Sequence, residues 1–230
     1  MEQNIPDKIK AIFFDANGVI YHRARSHFNY NKFLDNQHIS ISPKDIIHQT
    51  VTHVFNDAMI GRVTKKELFS CILRAHGIKG QELIKMGYEA LLQDECNIVL
   101  YDGVVETLEK LKKLRYRIGI ITDTISATEE KLRWFKSKGL TIEWDAFSNS
   151  AETDVRKPHA TAYQSALSQA GVSAEESIFV GHTAVELEGA RAIGMTTVTF
   201  CPDPGARATY HCAHFTELLK MPFIRQDTSS

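Results

Sequence analysis

The sequence contains no apolar run long enough to cross a membrane, and its first ten residues, MEQNIPDKIK, lack the apolar core of a secretion signal. Positive charge is not in excess either, since 27 Lys and Arg residues face 28 Asp and Glu residues for a net charge of −1. This balance gives no electrostatic footprint for nucleic acid and no basic surface for lipids. We therefore expect a cytoplasmic protein that acts on a small molecule, without nucleic-acid or membrane partners; the sequence leaves its oligomeric state open.

Cysteine is scarce and scattered through the sequence. The four residues are Cys71, Cys96, Cys201 and Cys212. None forms a CxxC pair, so reduced thiols are a better interpretation than a disulfide framework. Cys201 and Cys212 lie close to His211 and His214, but this spacing matches no zinc template, and we predict no metal site there.

Short apolar runs alternate with helical periodicities through much of the chain. Runs typical of buried strands cover residues 10–14, 117–122, 177–181 and 196–200. A shorter strand is predicted near residues 144–147. Apolar residues at helical spacing predict helices over residues 104–114, 126–137, 160–170 and 184–193. Strands that alternate with helices are joined by crossover connections, which make neighbouring strands parallel and place helices on both faces of the sheet. The predicted fold is therefore α/β with a doubly wound, mostly parallel sheet.

The segment from residue 21 to residue 98 has a different character. It shows helical periods with polar breaks and no strand-like run, which predicts about four short helices. The predicted domains are an α/β core of residues 1–20 and 99–230 and an all-helical cap of residues 21–98. Four aromatic residues are predicted to fill the core of the cap and its seam with the α/β core: Phe28, Tyr30, Phe33 and Phe55.

Polar residues follow three of the predicted strands. Asp15 follows the first, Thr122 and Asp123 end the second, and His182 follows the third. The carboxyl ends of parallel strands meet at one edge of a sheet, and ligands bind there. Asp15 is the strongest catalytic candidate, because Thr122 could hold an anionic oxygen and Lys157 could pair with the Asp15 carboxylate.

Four segments, taken in order, resemble the motifs of the haloacid dehalogenase (HAD) superfamily. Residues 13–20, FFDANGVI, are similar to the first motif, which in that family reads DxDGV or a variant of it. Residues 120–123, IITD, resemble the second motif, and residues 156–158, RKP, the third. Residues 179–190, FVGHTAVELEGA, resemble the fourth, usually GDxxxD. The resemblance runs from about Ile9 to the final helix and implies a HAD-like hydrolase with a Rossmannoid core and an inserted helical cap.

The resemblance also implies a role for each matching residue. Asp15 would be a nucleophile that forms a covalent aspartyl intermediate, which water then cleaves. Thr122 would bind the transferring group, and Lys157 would orient Asp15. Further substrate contacts are expected from Gly18 and Asp123 beside the nucleophile, and from Arg62 at the seam of the cap. The Mg²⁺ ion usual in the family would be held by Asp15, the backbone carbonyl of Asn17 and the fourth-motif acid Glu186.

Three acid positions depart from the family pattern. Asn17 stands where the general acid is expected, His182 replaces the first fourth-motif aspartate, and Glu186 replaces the second. An amide has no titratable proton, and general acid–base help is typically worth about 10²–10⁴-fold, so a phosphatase of this kind should be slow. Imidazole is a poor ligand for Mg²⁺, a hard cation that prefers oxygen. Mg²⁺ therefore stays a candidate cofactor whose binding is expected to be weak.

The residues are compatible with three functions. The first is a HAD-like hydrolase that acts through Asp15 on a small phosphorylated metabolite with weakened Mg²⁺ dependence. The second is a metal-independent enzyme of the dehalogenase kind, or another HAD reaction that needs no acid at residue 17. The third is a non-catalytic protein that keeps the pocket for ligand binding or regulation. His182 either activates the water that cleaves the intermediate or merely caps the helix that begins near Ala184.

Overall fold

The computed structural model describes residues 8–40 and 44–225. Its main sheet has six strands in the order β5-β4-β1-β6-β7-β8, and every pair of neighbours is parallel. These strands are β1 Ala11–Phe14, β4 Arg117–Thr122, β5 Ala146–Asn149, β6 Ser177–Gly181, β7 Thr196–Phe200 and β8 Tyr210–Cys212. Two further strands, β2 Tyr21–Arg23 and β3 Ile98–Leu100, form a separate antiparallel ribbon. The predicted parallel α/β fold is confirmed.

Helices cover both faces of the main sheet, as its apolar strands require. The helices of the core are α5 Val104–Lys113, α6 Thr128–Ser137, α7 Ser150–Thr153, α8 Ala160–Ala170 and α9 Ala184–Ala192. Alternate residues of β1 enter different apolar clusters: Phe14 packs with Leu108 and Phe135 on one face, whereas Phe13 packs with Tyr163 on the other. A strand buried on both faces reads as a continuous apolar run, which is the pattern that residues 11–14 show.

The described part of the insert carries four helices with their own apolar cluster. The helices are α1 Phe28–Asn36, α2 Lys44–Ala58, α3 Lys65–Ala75 and α4 Gln81–Cys96. Tyr30 and Phe33 are buried in this cluster as predicted. The prediction for Phe28 and Phe55 is wrong, because these side chains are 41% and 42% exposed. Asp94 of α4 accepts hydrogen bonds from the backbone N–H groups of Asn29 and Tyr30, each at 2.9 Å, and so caps the first turn of α1.

The elements that the sequence did not predict are short. The ribbon β2–β3 joins the two ends of the insert, and both strands have three residues, as does β8. Three residues carry too little alternation to identify a strand. Strand β5 begins two residues later than predicted, and Trp144, just before it, packs against Phe135. None of the helices in the described residues is long and apolar enough to span a bilayer.

Candidate active site

Three neighbouring strands of the main sheet end at the site. Asp15 directly follows β1, Thr122 is the last residue of β4, and His182 directly follows β6. Because β4 and β6 flank β1, these three residues are brought to the same edge, as the strand-end rule predicts. Asp15 and Thr122 are buried, with 6% and 2% of their surface exposed, and the Asp15 N–H donates a 2.9 Å hydrogen bond to Val180 O.

Lys157 reaches Asp15 from the loop between α7 and α8. Its Nζ donates to Asp15 Oδ1 at 2.5 Å and lies 3.1 Å from Glu186 Oε1, and the Lys157 side chain is completely buried. The backbone N–H of Lys157 donates to Asp123 Oδ1 at 3.1 Å. Asp123 therefore anchors the loop that presents the ammonium group, which is a different contact from the substrate contact that the sequence predicts.

The charges of this cluster shift one another's pKa values. Burial alone would raise the pKa of Asp15, but the Lys157 ammonium and His182 together hold it below its ordinary value. Burial disfavours the charged form of Lys157 too, but the carboxylates of Asp15 and Glu186 outweigh it and raise the pKa of the ammonium. The pKa of Glu186 is raised, chiefly by burial. Asp15 and Lys157 are thus a buried ion pair.

His182 lies on the other side of the Asp15 carboxylate. Its Nε2 is 3.5 Å from Asp15 Oδ2, and its Nδ1 is 3.3 Å from Asp203 Oδ1. Hydrogen bonding to Asp15 raises the pKa of His182 to about 9 despite the opposing effect of burial. The helix-cap interpretation is wrong for His182, because Thr183 caps α9 by accepting a hydrogen bond from the Glu186 N–H at 3.3 Å.

Gly18 makes room for the His182 ring. Its φ is +88°, and a methyl group at this position would lie 2.7 Å from His182 Nε2. Only glycine combines such a backbone conformation with so close an approach. The N–H of Gly18 donates to Tyr21 O at 2.7 Å, which fixes the turn beneath the ring. Gly18 therefore contacts a catalytic candidate, and its predicted contact with substrate stays a prediction.

Asn17 and Arg62 have other partners in the structure. Asn17 is exposed, and its backbone pairs with Tyr21 in an isolated bridge. Arg62 lies at the seam of cap and core, where its Nε is 3.2 Å from Asp154 Oδ1; both side chains are 62% exposed. The predicted contact of Arg62 with substrate stays a prediction, since the guanidinium group pairs with an acid of the core here.

A metal ion could be held by Asp15, His182 and Glu186. One potential ligand atom of each residue lies within 4.8 Å of the other two. Glu186 Oε2 is buried and has no hydrogen-bond partner among the described residues, so an acceptor is open to a ligand there. The set contains two carboxylates and one imidazole, and the Lys157 ammonium already contacts both carboxylates.

Sequence reasoning missed Asp203, the second partner of His182. It lies in the loop after β7, and β7 is the neighbour of β6 in the sheet. The signal that points to it is the end of the fourth predicted strand, residues 196–200, because ligands bind beyond the carboxyl ends of parallel strands.

The chain belongs to the haloacid dehalogenase-like hydrolases, whose family profile matches residues 9–194. Glyceraldehyde 3-phosphate phosphatase of Methanocaldococcus jannaschii is 28% identical over 144 residues, which are 61% of this chain and 55% of that protein. (S)-2-haloacid dehalogenase 4A of Burkholderia cepacia is 28% identical over 133 residues, 57% of this chain and 55% of that protein. The chain thus spans about half the length of these curated relatives.

Solved structures agree on the fold. The 2-haloacid dehalogenase from Pseudomonas syringae superposes with a TM-score of 0.71 at 18% identity, over 92% of this chain and 97% of that one. A HAD phosphatase from Thermococcus onnurineus gives a TM-score of 0.60 at 21% identity, also over 92% and 97%. At these identities the likeness establishes the HAD fold alone.

Proposed function

We propose that the protein is a hydrolase that uses Asp15 as a nucleophile against a small phosphorylated metabolite. The observation that carries the proposal is the buried contact of 2.5 Å between Asp15 Oδ1 and Lys157 Nζ. A buried carboxylate kept ionised by an ammonium group is a nucleophile poised for attack. The matches to archaeal glyceraldehyde 3-phosphate phosphatases, 28% and 35% identical over the matched segments, support a phosphate ester as substrate.

The proposed reaction has two displacements at phosphorus. An oxygen of Asp15 attacks phosphorus, the bond from phosphorus to the ester oxygen breaks, and the alcohol leaves. Water then attacks the aspartyl phosphate, the bond from phosphorus to Asp15 breaks, and inorganic phosphate leaves. Lys157 and Thr122 are proposed to hold the phosphoryl oxygens throughout, since charge and hydrogen-bond donors placed at developing charge lower the barrier.

His182 is proposed to carry the proton that Asn17 cannot carry. Its Nε2 is 3.5 Å from Asp15 Oδ2, close to the place where phosphorus must be during attack. In the first displacement Nε2 gives a proton to the departing ester oxygen. In the second it takes a proton from the attacking water, which restores the starting state. One imidazole serves as acid and then as base, so the net reaction consumes only ester and water.

The residues do not fit Mg²⁺ held in the family's usual way. The open oxygen of Glu186 suits a hard cation. However, an imidazole nitrogen stands where an acid is expected, and the Lys157 ammonium already contacts Asp15 Oδ1 and the other oxygen of Glu186. The ammonium also supplies positive charge that a metal would otherwise provide. We therefore propose a weakened Mg²⁺ dependence and assign no step of the reaction to a metal.

The test is a panel of phosphate esters and 2-haloacids, each assayed with Mg²⁺ and with a chelator. Asp15→Asn is the inactive variant, and Asp35→Asn, an exposed acid of the cap, is its matched control. We expect phosphate release that Asp15→Asn abolishes, Asp35→Asn retains and the chelator only partly reduces. Turnover that survives Asp15→Asn would contradict the proposal.

Asn17→Asp tests the part assigned to His182. If His182 already transfers the proton, a new carboxylate should raise the rate by less than about tenfold, well short of the 10²–10⁴ that a missing acid would restore. A gain of the full size would show that the site simply lacks its acid. It would assign the proton transfer to residue 17 and contradict the role of His182.

A second candidate function is cleavage of a carbon–halogen bond. It is favoured by the imidazole at residue 182, because halide leaves without a proton and the reaction needs no metal. The similarity to the Burkholderia cepacia dehalogenase, 28% identical over 133 residues, also supports it. Release of halide that resists the chelator and requires Asp15, without phosphate release, would select this function.

A further inference from the structure

We propose that Asp203 is a positioning residue that fixes the His182 imidazole against the nucleophile. The inference rests on the proposed function, in which His182 transfers protons. It assigns to the loop after β7 a part in the reaction that the four family-like motifs do not contain.

Asp203 holds His182 at two points. Its backbone N–H donates to His182 O at 2.9 Å, and its Oδ1 lies 3.3 Å from His182 Nδ1. The first contact fixes the backbone of residue 182, and the second fixes the rotation of its ring. Gly18 limits the ring from below, since its α-carbon approaches so closely that a methyl group there would lie 2.7 Å from Nε2. The imidazole is therefore held from two sides.

The contact with Asp203 also gives the Nδ1 proton of the imidazolium a fixed partner. An ionised carboxylate only accepts hydrogen bonds, so in the charged ring Nδ1 donates to Asp203 and Nε2 donates to Asp15. With the Nδ1 proton held by Asp203, the proton that the ring exchanges in the proposed reaction is the one on Nε2, the atom that faces Asp15 Oδ2. A nucleophile or base oriented by a third group is a recurring arrangement in catalysis.

Asp203 can act in this way although its side chain is 56% exposed. An exposed ion pair contributes little to stability, because water competes for both partners. Its effect on orientation is different, since the contact at Nδ1 limits rotation of the ring and so keeps Nε2 directed at Asp15. We therefore expect Asp203 to matter for turnover and little for folding.

The experiment combines kinetics with ¹⁵N NMR of the His182 ring in the full chain. The variants are Asp203→Ala and the conservative Asp203→Glu, and the control is Glu188→Gln, an exposed acid of α9. We expect Asp203→Ala to lower kcat about tenfold with KM nearly unchanged, below the ceiling of about 10²–10⁴ for the acid–base group that it positions. Labelled aspartyl phosphate should accumulate on quenching, Asp203→Glu should recover part of kcat, and Glu188→Gln should match the wild type.

The ring signals separate this inference from the proposed function. In the wild type the Nδ1–H group should give the downfield signal typical of a hydrogen bond to a carboxylate, and in Asp203→Ala the Nδ1 and Nδ1–H shifts should change or the proton signal should be lost to exchange with water. Unchanged shifts together with unchanged kcat would overturn the role of Asp203 and leave the hydrolase assignment intact. Turnover that survives Asp15→Asn would instead overturn the assignment. The NMR result decides about Asp203 in either case, since it requires no substrate.

Discussion

Two ion pairs join distant parts of the chain, and they differ in almost every physical respect. Lys157 and Asp15 meet at 2.5 Å with side chains 0% and 8% exposed, whereas Arg62 and Asp154 meet at 3.2 Å with both side chains 62% exposed. The first pair lies in the candidate active site and the second at the seam between cap and core. A buried charge depends on its partner, whereas an exposed charge has water as a substitute.

The comparison indicates where each region obtains its rigidity. The site depends on a few charges that cannot be removed singly. The seam has several replaceable polar contacts, such as Lys65 with Glu130 at 2.7 Å, and the core residue Ile125 packs against the apolar cluster of the cap. Apolar contact of this kind is insensitive to the loss of one ion pair.

Lys157→Met should have the largest effect on both activity and stability. It leaves the buried carboxylate of Asp15 beside the half-buried carboxylate of Glu186 without the ammonium group that pairs with both, and removal of one partner of a buried pair costs about 3–5 kcal/mol. Loss of a cation that faces developing negative charge should also lower kcat by about 10²–10³-fold. Urea unfolding and steady-state kinetics measure the two effects. The matched control is Lys85→Met, an exposed lysine of α4, and equal behaviour of the two variants would contradict the assignment of Lys157.

Gly18→Ala should have the next largest effect, because the methyl group would displace the His182 ring. The control is Gly139→Ala, where φ is +84° instead of +88° and nothing lies within 4 Å of the added atom. Both variants strain the backbone by about 1–2 kcal/mol. Only Gly18→Ala adds overpacking, so its free energy of unfolding should fall by about a further 1–3 kcal/mol. Its kcat should fall as well, and a wild-type kcat would show that the ring position is unimportant.

How much of the fold and of the candidate site the sequence can predict depends on how far apart in the chain the residues that make each feature lie. Asp15 and Thr122 were found because a buried strand produces an apolar run and its end is visible locally. The contact with Lys157 spans 142 positions in the chain, so no local pattern encodes it, and the sequence could offer Lys157 only as a candidate partner that the family resemblance then supported. The proximity of Gly18 to His182 depends on how two loops pack, and no local pattern encodes that distance.

The cap shows the same limit of local sequence patterns. Its helices were predicted because helical periodicity is local. Which aromatic residues face inward was predicted only in part, since Phe28 stacks beneath the Arg25 guanidinium group at the surface whereas Phe33 enters the cluster. Arg23 donates hydrogen bonds to the carbonyl oxygens of Asp94 and Glu95, each at 2.7 Å, and so caps the last turn of α4. The partner of a charged residue depends on tertiary packing.

The contact between His182 and Asp15 should make the stability of the protein depend on pH, and its effect should be smaller than those of Lys157→Met and Gly18→Ala. The pKa of His182 is raised from 6.5 to about 9 by its hydrogen bond to Asp15. Since the folded-state value is above the unfolded one, the contribution is fully present below about pH 6.5 and is lost as the pH rises to about 9. Urea midpoints between these limits should decline for the wild type and less for His182→Gln. Parallel declines would mean that the pair does not form in solution.

Arg62→Ala should have the smallest effect on the free energy of unfolding, in contrast to Lys157→Met. Exposed ion pairs contribute about 0–1 kcal/mol, so we expect a change in the free energy of unfolding of less than about 0.5 kcal/mol. A double-mutant cycle with Asp154→Ala isolates the coupling between the two side chains. A coupling of 2 kcal/mol or more would contradict the view that burial separates the two pairs. KM measured on the same variant tests the predicted substrate contact, because a guanidinium group that binds substrate raises KM when removed and leaves the coupling energy unchanged.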